Sequence, residues 1–243
     1  MMRTFYLMYG VVAYVIFFVT FLYAIGFTGN IVVPKSIDSG LPGNQQEAWL
    51  INILLLGIFA IQHSVMARQG FKKWWTKIIP RPIERSTYVL ISSLALILLF
   101  SQWRPMLGII WDVGDGVGSL ISRAFFGAGW LMVLVATFTI NHFDLFGLRQ
   151  VYLYWLGKEY TPIKFQTTGF YKYLRHPIML GFIVAFWVAP IMTVGHLLFA
   201  VATTAYMLIG IALEERDLCY FLGDTYKQYR QRVGMLIPRL PKE

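Results

Sequence analysis

Six stretches of this chain are apolar over lengths that suit the hydrocarbon core of a bilayer, and no other property limits its fold as tightly. A spanning helix needs about 20 apolar residues, with a tolerance of roughly 17 to 25. The stretches run Phe5 to Phe27, Ala48 to Ala67, Tyr88 to about Trp103, Ala124 to Ile140, Pro177 to Val194 and His196 to Leu213. Arg104 and Pro105 interrupt the third before Trp111, and the fourth is short. The first is too long for the apolar region of a signal peptide and no small-residue cleavage site follows it, so it reads as a retained helix. The expected architecture is all-α: a polytopic integral-membrane helical bundle of about six transmembrane helices, with a cytoplasmic interfacial segment and a C-terminal tail.

Composition agrees. Of 243 residues, 57% are hydrophobic and 14% charged, against about 25% charged in an ordinary soluble domain, which excludes a water-soluble globule. A mean hydropathy of +0.59 excludes disorder, because disordered chains lack apolar surface. The single cysteine, Cys219, forbids an intrachain disulfide framework, and the four histidines are too scattered for a zinc site, so no metal is expected.

The formal charge of +9 could mean nucleic acid or membrane topology, and position decides. Six cations lie between Arg68 and Arg85, five between Arg149 and Arg175, and six between Arg216 and Lys242. With Arg3 these make eighteen of 21, leaving Lys35, Arg104 and Arg123 opposite. Alternate connections of a six-helix count therefore share one face, both termini are expected in the cytoplasm, and the basic excess is assigned to membrane lipid, with no nucleic acid. The stretch from Asp144 to Phe165 mixes aromatic, aliphatic and charged residues, so it should lie at the interface. Helices five and six, joined at about Gly195, should form an antiparallel hairpin.

Ionisable groups are costly in apolar helices, so those retained near helix ends mark candidate sites. His63 lies near the cytoplasmic end of the second stretch, Glu84 and Arg85 just before the third, and Asn141, His142 and Asp144 at the exit of the fourth. Arg175 and His176 enter the fifth, and Glu214 and Glu215 leave the sixth. All are expected on one face, which suggests a polar pocket. The alternatives are plain: the arginines serve as snorkelling anchors, and His63 hydrogen-bonds across helices. Carboxylates at a helix C-terminus oppose its dipole, which favours a functional reason for the glutamate pair. Asp112-Val113-Gly114-Asp115-Gly116-Val117-Gly118 fits the glycine-rich loop of soluble Rossmann-like methyltransferases, but that loop works only inside a βαβ unit, so it reads as a turn on the far side.

The segments Phe165 to Gly181, Glu214 to Leu218 and Leu222 to Arg230 contain Arg175-His176-Pro177, Gly181, the Glu214-Glu215 pair and Tyr226-x-x-Tyr229. Their order and spacing resemble integral-membrane methyltransferases that act on isoprenylcysteine carboxylates and phospholipids. Gln62 to Arg68, Glu84 to Tyr88, Asn141 to Gln150, Tyr160 to Pro162 and Ala202 to Tyr206 extend the resemblance to the bacterial methanethiol S-methyltransferases, related to the NnrU proteins. Met179 and Gly234 depart from the family pattern.

The resemblance implies one integral-membrane methyltransferase domain over 1–243 in the bacterial inner membrane, with 1–143 on the acceptor side and 144–243 as the cofactor-binding core. It implies methyl transfer from S-adenosylmethionine to methanethiol, giving dimethyl sulfide, with the cofactor held by the last helices and the tail. It also implies that the Arg175-His176-Pro177 motif, Gly181 and the glutamate pair make cofactor contacts. Residue chemistry agrees: Arg175 and His176 suit the carboxylate, Glu214 or Glu215 the ribose or ammonium, and Tyr171, Tyr226 and Tyr229 the adenine and sulfonium. Arg230 would cover the pocket.

The thiol must lose a proton. His142 is the first choice as base, with Asp144 orienting it, and His63 the second. Arg85 would stabilise the thiolate, held by Glu84. The acceptor pocket would comprise His63, Arg85, Asn141 and His142. Rival readings are a lipid acceptor, a sterol-reductase-like enzyme using NADPH, or a non-enzymatic membrane protein; no protein partner is inferred.

Overall fold

The computed structural model describes residues 1–41, 43–163 and 165–239; Lys164 and Lys242, two cations of the topology argument, lie outside them. In chain order the elements are α1 (Met2–Gly29), α2 (Gln45–Ala67), α3 (Gln69–Trp75), α4 (Arg81–Gln102), β1 (Ile109–Asp112), α5 (Val117–Ile140), α6 (His142–Leu145), α7 (Leu148–Trp155), α8 (Pro177–Trp187), β2 (Ile191–Thr193), α9 (Val194–Leu222) and α10 (Asp224–Arg232). A single 3-10 turn covers Gly169–Lys172. Five of these helices, α1, α2, α4, α5 and α9, are long and apolar enough to cross a membrane. The chain is a polytopic membrane helical bundle.

The fifth expected span, Pro177 to Val194, holds a helix shorter than its apolar run. Pro177 starts α8 and the helix ends at Trp187 after 11 residues, about 16 Å of rise against a hydrocarbon core of about 30 Å. The remaining apolar residues, Ile191–Thr193, form β2 and pair antiparallel with β1. Hydropathy cannot separate a buried strand from a helix, which is why the run was read as one span. The hairpin joint therefore lies at residues 188–193, and Gly195 sits in the first turn of α9, where Thr193 caps by accepting from the His196 N–H at 3.0 Å. Helix α9 continues to Leu222, so Glu214 and Glu215 stand two turns inside it instead of at its end, and the dipole argument for them does not apply. Glu84 and Arg85 are likewise inside α4, whose Pro82 suits a first turn.

The chain divides into two compact units: Met1–Leu107 with Asn141–Lys164, and Gly108–Ile140 with Phe165–Glu243. The first unit sets α1 against α4 and α7, and α2 against α4. Gly10 permits the α1–α7 approach, since a Cβ there would come within 2.5 Å of Val151. The end of α4 is fixed by Asn52, fully buried in α2, whose amide bonds both the N–H (2.9 Å) and the carbonyl (2.8 Å) of Arg104.

The second unit packs α5 along α8, and α8 against α9. Gly129 and Gly181 face each other there, each leaving no room for a Cβ beside the other's carbonyl. Trp130, Phe182, Phe186 and Phe199 fill the adjoining core. The glycine-rich loop between β1 and α5 turns at Gly114 and Gly116, both at positive φ, and the Asp112 carboxylate accepts from the Gly114 N–H at 2.8 Å. A strand does lead through it into a helix, but its partner strand is antiparallel and the described residues contain no βαβ crossover.

Candidate active site

In the second unit, the turn Gly169–Lys172 and the start of α8 present Arg175 and His176 to Glu215 of α9. Arg175 Nε donates to Glu215 Oε1 at 2.6 Å, and His176 Nε2 lies 3.0 Å from the same oxygen. Arg175 Nη1 donates to the carbonyls of Arg230 and Val233, which ties the tail to this group. Backbone pairing reinforces the tie: the Arg175 N–H bonds the Gly234 carbonyl and the His176 N–H that of Met235. A side chain at Gly234 would collide with the Ile237 carbonyl, so the glycine suits the path of this tail.

Glu215, His176 and Arg175 are thus mutually satisfied and nearly buried, whereas the Glu214 side chain is 53% exposed and that of Arg230 50%. Tyr226, Tyr229 and Phe165 form an aromatic cluster with centroids 5.4 to 5.8 Å apart, and the Tyr229 hydroxyl donates to the Tyr171 carbonyl at 2.7 Å. Burial pushes the Tyr229 phenol up to about 12, and raises those of Tyr171 and Tyr226 further, so all three stay neutral donors. Pro177 is buried at the first position of α8, and Gly181 packs on Gly129 as described.

The first unit gathers the other candidates. His142 opens the short helix α6, which Asn141 caps by accepting from the Asp144 N–H at 3.1 Å. The His142 ring is buried, with Nε2 2.8 Å from the Tyr14 hydroxyl of α1. Burial holds its pKa below the usual imidazole range. His63 of α2 meets the Tyr88 hydroxyl of α4, 2.8 Å from Nε2, and Ser92 Oγ, 3.1 Å from Nδ1. The Arg85 guanidinium lies 5.1 Å over the Tyr88 ring and donates through Nε to the Leu145 carbonyl at 2.7 Å. Tyr88 and Leu145 therefore connect His63, Arg85 and the helix bearing His142.

Asp144 is turned to other work. Its carboxylate takes a bond from Arg149 at 2.9 Å and one from the Tyr160 hydroxyl at 3.2 Å, and Arg149 also reaches Thr161. It clamps the strap after α7 in place of orienting His142, whose bonded neighbour is Tyr14. Sequence reasoning gave no role to Tyr14 or Ser92. The available signal was a phenol inside the apolar run of α1, because a polar group retained in such a run needs a partner.

The fold and these clusters define a polytopic membrane helical protein with a polar cluster in each of its two units. Similarity narrows the class. The chain is 59% identical over 95% of its length to methanethiol S-methyltransferase 1 of Bradyrhizobium diazoefficiens, covering 81% of that protein. It is 55% identical over 98% of its length to methanethiol S-methyltransferase of Mycobacterium tuberculosis, covering 98% of it. A more distant relative, nurim of Rattus norvegicus, is 29% identical over 74% of the chain and 71% of nurim. The chain belongs to the methanethiol S-methyltransferase family. No family model matches it, and no solved structure is similar to it.

Proposed function

We propose that the protein methylates methanethiol to dimethyl sulfide with S-adenosylmethionine as methyl donor, at the cytoplasmic face of the bacterial inner membrane. The observation that carries the donor assignment is the half-exposed pair Glu214 and Arg230 standing on the buried Arg175–Glu215–His176 group. The donor set fits: an exposed carboxylate for hydroxyls or an ammonium, an exposed guanidinium for a carboxylate, and aromatic faces for a flat base and a cation. When bound, S-adenosylmethionine supplies a methyl group on a positively charged sulfur. Arg175, His176 and Glu215 hold the tail that carries Arg230, and Tyr171, Tyr226 and Tyr229 line the donor's side of the second unit.

His142 takes the thiol proton, because its buried ring is neutral at neutral pH. Glu214, Arg230 and the faces of Tyr171, Tyr226 and Tyr229 would hold the donor, which would supply the methyl group to the thiolate and leave as a neutral sulfide. Positioning supplies most of the acceleration in such displacements, up to about 7 to 11 kcal/mol in favourable intramolecular cases. Arg85, held by Leu145 and Tyr88, provides positive charge for the thiolate, and His63 with Tyr88 supports it.

Purified protein in nanodiscs, given isotope-labelled S-adenosylmethionine and methanethiol, should release labelled dimethyl sulfide measured by headspace gas chromatography. Absence of labelled product with folded protein and bound donor would remove the acceptor. Absence of donor binding by calorimetry would remove the cofactor.

A further inference from the structure

The first unit holds a cavity of about 930 Å³ whose lining, apart from Arg85 and the Leu145 that holds it, takes no part in the reaction above. Arg3 from α1, Lys72 and Lys73 from α3, Arg81 and Arg85 from α4, and Lys158 after α7 all line it. Three acids face the same space, Glu84, Asp144 and Glu159, and Asp144 is engaged by Arg149 and Tyr160. Among the described residues Lys73, Arg81 and Lys158 form no ion pair. Six cations around one concavity repel each other, and their exposure to a shared anion is the arrangement that relieves the repulsion. Desolvation, and after it the neighbouring Arg85, hold the half-buried Lys72 ammonium below its ordinary range.

Exposed apolar side chains that neighbour the lining residues in the chain identify the kind of anion. Trp74 and Ile78, beside Lys72 and Lys73 in the chain, are 52% and 62% exposed, and Trp155 and Leu156, just before Lys158, are both 42% exposed. A small dissolved phosphate would gain nothing from these side chains, whereas a lipid would lay its chains along them. Arg3 is held at the mouth by the Tyr154 ring, 5.8 Å from its guanidinium carbon, and Tyr154 itself stacks on Tyr6.

We infer that this cavity is a binding site for the phosphate of an anionic phospholipid headgroup, with the acyl chains against Trp74, Ile78 and Trp155. Basic pockets at the ends of membrane helices take such headgroups, and arginine and lysine match phosphate oxygens in charge and donor geometry. Arg85 serves both this cavity and the methyl-transfer reading, whereas Lys73, Arg81 and Lys158 have no part in that reading, so their removal tests the cavity separately.

The test uses delipidated full-length protein and native mass spectrometry with short-chain phosphatidylglycerol, phosphatidylcholine of the same chains, and glycerol phosphate. The wild type should retain phosphatidylglycerol over phosphatidylcholine, and raised ionic strength should erode the preference. The Lys73→Gln/Arg81→Gln/Lys158→Gln variant should lose about a hundredfold in phosphatidylglycerol affinity with phosphatidylcholine unchanged. Equal retention of both lipids by the wild type, or an unaltered preference in the variant, overturns the site. Glycerol phosphate binding as tightly as the lipid overturns the lipid as its occupant. The wild-type comparison stands even if the triple variant does not fold.

Discussion

The two units treat histidine in opposite ways. In the first, His142 and His63 are met by phenol hydroxyls, Tyr14 and Tyr88, each at 2.8 Å. In the second, His176 shares a carboxylate oxygen with an arginine. A phenol can donate to a neutral imidazole nitrogen without favouring the protonated ring as a carboxylate would, so the first arrangement does not itself favour a charged ring. The second closes charge upon charge, leaving a rigid, electrically balanced support from which Glu214 and Arg230 project. In the proposed reaction, the first arrangement would serve proton transfer and the second would hold a zwitterionic ligand.

The strongest attempt to break this division is His142→Gln. If the ring is the base, turnover should fall by about 10² to 10⁴ while binding of S-adenosylmethionine is unchanged. The wild-type rate should also fall as pH drops, with a midpoint below the ordinary imidazole value of 6.5, because burial lowers the pKa. That acid limb should vanish in the variant. A variant that loses donor binding along with turnover would place His142 with the second unit's work.

Glu215→Ala attacks the other side. It leaves the Arg175 guanidinium, whose side chain is 10% exposed, without its carboxylate, and breaking a buried pair from one side costs about 3 to 5 kcal/mol. Thermal unfolding should show the loss, and calorimetry should show weakened donor binding. Full donor affinity in a folded variant would mean that the tail is held without the ion group.

The helical class and the grouping of polar residues within the first unit were legible because apolar length and charge position are properties of the chain itself. Five helices fell where hydropathy put them, extended at their ends by polar residues such as Glu84 and Arg85 that a span criterion trims away. Residues 177–194 misled because an apolar run carries no mark of where helix gives way to strand. The pairing of Arg175, His176 and Glu215 was foreseeable as a neighbourhood but not as a closed group, since residue types do not say who bonds whom. Asp144 was drawn to His142 by its place in the chain, two residues on. The actual bonds run to Arg149, five residues on, and to Tyr160, beyond the turn after α7.

A smaller effect is expected at Gly147, which joins α6 to α7 at φ +88°. A Cβ there would stand 2.6 Å from Ser86 Oγ and 2.7 Å from its backbone nitrogen. Gly147→Ala should therefore cost about 1 to 3 kcal/mol from the left-handed conformation, with crowding added. Because the loop carries Leu145, whose carbonyl holds Arg85, turnover should fall more than donor affinity does. Equal losses would show that the strain spreads beyond the first unit's site.

The mildest change gives the sharpest comparison. Tyr14→Phe removes one hydrogen bond and keeps the ring that meets His142 edge-on at 5.7 Å. A bond of this kind contributes about 0.5 to 1.5 kcal/mol net, so turnover should fall only several-fold, with donor affinity unaltered. The direction of the accompanying pH change distinguishes two roles for the phenol. If Tyr14 donates to Nε2, it favours the neutral ring, and its loss should move the acid limb towards higher pH. If it accepts from a protonated Nε2, it favours the charged ring, and the limb should move lower. The first outcome agrees with a histidine kept ready to take a proton; the second would make Tyr14 a stabiliser of the product of that transfer.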